Sequence, residues 1–261
     1  MERSFFSFSE YVATLPYIKK EIITMKTATF SLLFILVFKL AAGAEMGNPE
    51  DIPEAGRIRI DGRLEDWRHV EWTPLTESLD GNPVNISNAR WALQWDDDGM
   101  LYIAVRYDDA DLVLQNGYTG PGRQDGVEIY VRGDTGSDPV DYSKLQDSAQ
   151  HYIFGLSRDK ATPWKKLAGM ESFPAHNPAT AAVKLEGSTF TYEIRVPLYD
   201  KFDAKSRRRT ELSEPVADFE IGADIAITDV GSDGYAGMKS ENKMGEKENN
   251  AEHIAVHTLS E

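Results

Sequence analysis

Residues 91–132 constrain the fold more than any other part of the chain. Trp91, Leu93 and Trp95 alternate with Ala92 and Gln94, and after Asp98-Gly99 the residues Leu101, Ile103, Val105 and Tyr107 alternate with Tyr102, Ala104 and Arg106. A period of two sends successive side chains to opposite faces of a strand, so both runs read as half-buried strands. Asp-Gly tolerates the positive φ of a tight turn, which predicts that the two runs pair antiparallel. A third strand follows, with Val127, Ile129 and Val131 inward and Glu128, Tyr130 and Arg132 outward. The sheet expected from these three strands has one apolar face and one polar, aromatic-bearing face.

The same period returns further along. Residues 151–156 put Tyr152, Phe154 and Leu156 on one face; residues 183–186 and 189–196 flank Gly187-Ser188 as a second hairpin; Phe219, Ile221, Ala223, Ile225 and Ile227 alternate; and residues 253–259 form a last strand. Residues 57–60 read as a short edge strand, with Asp61-Gly62 turning into a helical turn that ends at Trp67. Trp67 and Trp72 read as plugs for the open end of a sandwich. Residues 73–88, the turn-rich stretch after Arg132, the proline-rich residues 157–180 and the charged residues 201–215 read as loops. Residues 231–250, rich in Gly, Lys, Glu and Asn, read as a mobile loop. Eight to ten short strands without a strong amphipathic helix predict an all-β fold, an antiparallel β-sandwich of jelly-roll or immunoglobulin-like kind. Parallel α/β is disfavoured because no crossover helices are available between the strands.

The first 56 residues divide differently. Met25-Lys26 is followed by the apolar run TATFSLLFILVF and then by Ala42 and Ala44, spaced as at a signal-peptidase site, so cleavage is expected after Ala44. The run is short of the roughly 20 residues needed to span a bilayer, and Lys39 cuts it off from Leu40 and the alanines beyond. The expected organisation is an upstream-start extension (1–24), a signal peptide (25–44), a flexible leader (45–56) and one domain (57–261). The absence of cysteine means that no disulfide and no lipidated cysteine is used. The formal net charge is −15, and about −17 once residues 1–44 are removed. Such a charge repels nucleic acid and anionic membranes. A secreted or periplasmic protein with no stable membrane span after signal cleavage is the expectation.

Five motifs in order then carry a resemblance. Ile60-Asp61-Gly62-Arg63-Leu64-Glu65-Asp66-Trp67, Trp95-Asp96-Asp97 before Leu101-Tyr102-Ile103-Ala104-Val105, Gln124-Asp125-Gly126-Val127-Glu128-Ile129-Tyr130, Tyr192-Glu193-Ile194-Arg195-Val196-Pro197 and Ile227-Thr228-Asp229 together resemble carbohydrate-binding module family 9. The resemblance spans about residues 57–259. It implies a non-catalytic sugar-binding β-sandwich, with bound calcium in some members and with a glycoside hydrolase or a cell-surface complex as partner. Carried over by motif, the sugar-binding carboxylate falls on Glu128 and the glutamine of the following strand on Gln150. The tryptophan that should precede the Asp-x-Val-Glu motif is replaced by Pro121-Gly122-Arg123, and no tryptophan follows Asp229. Stacking on a sugar therefore falls to Trp164, Tyr118 or Tyr152.

Sugar recognition needs an aromatic face against C–H groups and acceptors for hydroxyls, which Glu128 and Gln150 with Tyr130 and Tyr152 supply. The competing expectation is that Glu128 pairs with Arg106 or Arg195 on a neighbouring strand. Asp108, Asp109, Asp125, Asp229 and Asp233 are oxygen donors near strand ends; Asp108, Asp125 and Asp229 are the candidate calcium ligands, although none has the spacing of a dedicated calcium loop. His69, His151, His176, His253 and His257 show no metal spacing and read as surface residues. Two carboxylates facing one cleft cannot be singled out, so no glycosidase is expected. Two other functions compete with sugar binding: a haem-binding sandwich subunit of a periplasmic redox complex, for which Met238-Lys239 and Lys243-Met244 offer axial ligands, and a structural or protein-interaction domain.

Overall fold

The computed structural model describes residues 51–79, 82, 84–133, 135, 148–247 and 249–261. The expected upstream extension, the signal peptide and leader residues 45–50 lie outside the described residues. One sheet runs in the spatial order β1 (Asp51–Pro53), β15 (Val256–Ser260), β13 (Glu220–Gly231), β6 (Gly126–Arg132), β7 (Ala149–Leu156) and β8 (Pro163–Leu167). Beyond β15, the free edge of β13 is extended by β14 (Gly234–Ser240), which pairs in turn with β3 (Glu77–Ser78). The second sheet has the order β2 (Thr73–Pro74), β4 (Ile86–Asp96), β5 (Met100–Asp109), β10 (Thr189–Pro197) and β9 (Thr180–Glu186). A small ribbon of β11 (Tyr199–Lys201) and β12 (Glu211–Leu212) stands apart from both sheets. Among the described residues the strand pairings are antiparallel except that of β1 with β15, beside which Glu54 makes an isolated parallel bridge to Trp95.

The two sheets stack through the inward residues that the alternation selects. Trp91, Leu93, Ile103, Val105, Tyr107, Phe190 and Tyr192 from one sheet meet Val127, Ile129, Phe154, Ile225 and Ile227 from the other in one buried cluster. Each of these side chains contributes roughly 1.5–3 kcal/mol on leaving water. The organising hairpin forms as its sequence predicts: Trp95 pairs with Leu101 and Asp96 with Met100, and Gly99 takes φ +77° in the turn between them.

The structure changes several other expectations. The third strand of residues 91–132 is β6, which joins the opposite sheet, between β13 and β7. Residues 57–60 form no strand, while order extends upstream of Arg57: Ile52 is fully buried in β1, in the part expected to be leader. A strand, β8, forms within the proline-rich stretch, because Pro163 takes its first position on a sheet edge, where a missing N–H costs least. The stretch expected to be a mobile loop contains β14, and the residues that follow that stretch cover the outer face of the first sheet, where Ala251 and Ile254 pack with Tyr130, Ala149 and Ala226. The helical turn expected before Trp67 is a 3-10 turn at Glu65–Trp67. Trp67 is buried against Ala92 and Ala104 on the outer face of the second sheet, so it seals a face and not an end.

Candidate functional site

Strand register builds the site. Glu128 in β6 lies between Ala226 of β13 and Ile153 of β7, and Tyr130 lies between Asp224 and His151. Because Val127, Ile129 and Val131 point into the core, these neighbours all face outward from the first sheet. Glu128, Tyr130, His151 and Ile153 form the floor of a cavity of about 420 Å³, inside the usual range of small-molecule sites. Pro121, Tyr235, Leu79, Met238, Met244, Gly245, Glu246 and Lys247 complete its lining. Tyr235 is 44% exposed and its ring lies over Gly122.

The floor is polar but largely satisfied. Tyr130 Oη donates to Glu128 Oε2 at 2.9 Å, Thr228 Oγ1 donates to Oε1 at 3.0 Å, and His151 Nε2 lies 2.8 Å from Oε2. Burial pushes the Glu128 carboxyl up, but the His151 imidazole and the Tyr130 and Thr228 hydroxyls outweigh it and hold the group below its usual range. Glu128 is therefore a preorganised anion, with acceptor capacity left for a ligand hydroxyl. The Tyr130 and His151 rings stack 4.3 Å apart. Behind Tyr130, Lys247 Nζ pairs with Asp224 at 2.8 Å and donates to Ser240 Oγ at 3.0 Å, which ties the wall that follows β14 to the sheet.

Trp164 lies on the same outer face. Its partner across the strands is Gly155, and the indole spreads across the bare backbone of Gly155 as far as Gly126. A Cβ on Gly155 would collide with the ring, so the glycine is what lets Trp164 lie flat. Tyr118 packs against Trp164 at 5.7 Å; burial, and then the nearby Glu128 charge, raise its phenol pKa.

Of the five candidate sugar-binding residues, Glu128, Tyr130 and Trp164 share this face and two do not. Tyr152 pairs with Ile129 and points into the core, where its hydroxyl accepts from Asn177 Nδ2 at 2.9 Å. Gln150 pairs with Val131 and is likewise buried on the inner side of β7. The β7 residue beside Glu128's face is His151, one position along. The alternation of Tyr152, Phe154 and Leu156 already implied this. Glu128 pairs with neither Arg106 nor Arg195, since both belong to the other sheet. Sequence reasoning missed Tyr235, which β14 delivers where the expected tryptophan is absent. It also treated two buried histidines as surface residues: His151, and His257, whose Nε2 lies 2.9 Å from the Ala223 carbonyl. Met238 and Met244 line the cavity, but by strand alternation Lys239 faces away from Met238, so that Met-Lys pair does not present two ligands to one space.

A second cluster sits where the two sheets meet at one end. Asp109, Asp125 and Asp229 continue the inward register of Tyr107, Val127 and Ile227, and one carboxylate oxygen from each lies within 4.8 Å of the others. Asp125 accepts from Val113 N at 2.6 Å and Val230 N at 2.8 Å, and Asp229 accepts from Asn85 N at 2.5 Å. Asp109 Oδ2 and Asp229 Oδ1 are buried without a hydrogen-bond partner. Burial above all, and then the Asp109 and Asp229 charges, raise the Asp125 pKa to about 8. Asp125 and Asp229 thus meet as expected, whereas Asp108 is corrected to Asp109. Asp108 points outward and accepts from Asn88 Nδ2 at 2.7 Å and Thr189 Oγ1 at 2.5 Å.

An all-β sandwich that carries an aromatic-walled cavity with a fixed carboxylate on one outer sheet face has the form of a non-catalytic carbohydrate-binding module. The chain belongs to the carbohydrate family 9 binding domain-like family, whose model matches residues 60–256. It is similar in fold to a carbohydrate binding module family 9 from Caldicellulosiruptor kristjanssonii in complex with cellotriose, at 19% identity and TM-score 0.61 over 80% of this chain and 93% of that one. The same organism's module in complex with glucose matches at 19% identity and TM-score 0.52, over 80% and 95% of the two chains. No curated protein matches the chain.

Proposed function

We propose that the cavity over Glu128 is the saccharide site of this module. The observation that carries the reading is the Glu128 carboxylate, kept ionised by three side chains at the floor of a cavity walled by Tyr235, Pro121 and two methionines. Sugar hydroxyls donate to the carboxylate, and a pyranose C–H face rests on the Tyr235 ring. Trp164 and Tyr118 extend the aromatic surface for a longer chain. The module acts outside the cytoplasm, after removal of the signal peptide, and holds an associated glycoside hydrolase or cell-surface complex against polysaccharide. The family membership and the sugar-bound structures of similar fold support this reading; among the described residues, no helix is long and apolar enough to cross a membrane. Calorimetry with mono- and oligosaccharides, guided by a glycan array, tests it. Glu128→Ala and Tyr235→Ala should each weaken binding about tenfold or more, by roughly 1.4 kcal/mol. No heat with any glycan would sink the reading.

The Asp109–Asp125–Asp229 cluster supports a second element, a bound divalent cation, with calcium favoured by an all-oxygen donor set. Three buried carboxylates with two unpartnered oxygens suit such an ion. Bound there, calcium cross-links β5, β13 and the chain entering β6, and stabilises the fold without touching the sugar. Thermal melts with excess calcium should exceed those with chelator by several degrees, and Asp229→Asn should abolish the difference. An unchanged melting temperature in the wild type would remove the cation from the account. A purified protein that shows a Soret band after haem addition would instead favour the redox reading.

A further inference from the structure

One row across the outer face of the second sheet carries charge of the opposite sign to the whole chain. Register places Arg90 of β4 directly opposite Arg106 of β5, and the row continues through Thr191 of β10 to Lys184 of β9. Like charges directly opposite on neighbouring strands are destabilising. Arg90 and Arg106 are both exposed. Among the described residues no carboxylate lies within ion-pair distance of either guanidinium. Lys184 is paired with Glu186 at 2.8 Å, and the nearby Asp108 is turned toward Asn88 and Thr189. Trp72 lies under Arg90, with the guanidinium carbon 5.2 Å from the ring centroid, which restricts where that fork points.

A strand irregularity opens the surface here. The β4–β5 register shifts between Ser87 and Arg90, and Asn88 adopts φ +52°. This bulge leaves a depression of about 460 Å³ lined by Pro74, Asn88, Ala89, Arg90, Arg106, Asp108 and Thr189. Two guanidiniums thus share one depression with an amide, a hydroxyl and a hydrogen-bonded carboxylate. We infer that this depression is a second saccharide subsite, on the face opposite the Glu128 cavity, that takes a sugar bearing a carboxylate, as in a polyuronate. The Arg90 and Arg106 forks clamp the uronate carboxylate between them, and the pair repulsion is relieved when it binds. Asn88, Thr189 and Asp108 meet ring hydroxyls. The Asp108 charge within the depression disfavours doubly charged groups, and the net charge of the chain disfavours nucleic acid.

Calorimetry on the full chain, with trigalacturonate as probe and neutral cellotriose, a sulfated trisaccharide, acetate and sulfate as comparisons, tests the subsite. Trigalacturonate should bind, more weakly at 500 mM than at 50 mM sodium chloride. Arg90→Gln with Arg106→Gln should reduce its affinity at least tenfold, while Arg106→Lys, which keeps the charge and loses the fork, should fall between. Arg90→Gln with Arg106→Gln should leave the binding of neutral cellotriose unchanged, so failure of the cavity reading and failure of this one are separable. The double variant should still melt cooperatively, because both guanidiniums are exposed and neither holds a buried partner. Undiminished trigalacturonate binding in the double variant, or equal binding of the sulfated trisaccharide, acetate or sulfate, would overturn the inference.

Discussion

Glu193 shows at the scale of one residue why two of the recognisable motifs travel together. Its side chain is fully buried on the outer face of the second sheet, where Oε2 accepts from the backbone N–H groups of Asp61, Gly62 and Arg63 at 2.9, 2.6 and 3.0 Å. Oε1 accepts from Trp67 Nε1 at 2.9 Å. The Asp-Gly turn and Trp67 are thus one half of a contact whose other half is the glutamate of the Tyr192-to-Pro197 motif. Removing the carboxylate leaves four donors without their acceptor, those of Gly62 and Trp67 buried and those of Asp61 and Arg63 partly so, which costs more than one hydrogen bond is worth. Glu193→Ala should lower the unfolding free energy by about 3 kcal/mol, read from the urea midpoint at constant slope. Trp67→Phe keeps the ring and loses one donor, so it should cost about 1 kcal/mol. A Glu193→Ala loss within experimental error of zero would mean that the turn does not depend on this anchor.

At the scale of elements, the segment after β14 is the wall of the cavity, and buried charge holds it. Lys247 is paired with Asp224, and Asp224 Oδ2 also accepts from the Asn242 amide. Burial, and then the Asp224 charge, raise the Glu241 pKa to about 8, with Lys247 opposing. The folded protein therefore keeps a proton on Glu241 that the unfolded chain loses near its ordinary value of 4.5. The stability this provides is complete below about pH 4.5, falls through the interval up to about pH 8, and is flat above. The slope from this group is up to about 1.4 kcal/mol per pH unit. Urea unfolding between pH 5 and pH 8.5 should show the decline, and Glu241→Gln should make it shallower; equal slopes would exclude Glu241 as the source. These elements also mark the limit of what the amino-acid order reveals. The hairpin of β4 and β5 was legible because its turn and its alternation are local. Glu128 and Tyr130 were legible as outward residues of one strand, but that β6 joins the other sheet was not, because its partner on one side, β13, lies far away in sequence. Tyr235, Lys247 and β14 were invisible. Few apolar residues mark that stretch, and its order comes from Asp224 and from pairing with β13.

At the scale of the molecule, charge and topology set the behaviour. A net charge of −15 leaves the folded chain repelling itself. Raising sodium chloride from about 10 mM to about 150 mM shortens the screening length from about 30 Å to about 8 Å, so the melting temperature should rise by a few degrees. Circular dichroism melts at fixed pH, with chelator present to set cation binding aside, check this; a falling melting temperature would show that attractive pairs outweigh the repulsion. Topology adds a mechanical property. β1, at the start of the domain, lies parallel to β15, at its end, with Asp51 beside Thr258 and Pro53 beside Ser260. Glu54 N donates to the Ser260 carbonyl at 3.0 Å, and so does the Trp95 indole at 3.0 Å. Tension between an attachment before Asp51 and one after Ser260 slides these two strands past each other, and the hydrogen bonds across them must yield together instead of in succession. A load applied in this way, at both ends of the domain, meets its resistance in these two strands, which form a clamp.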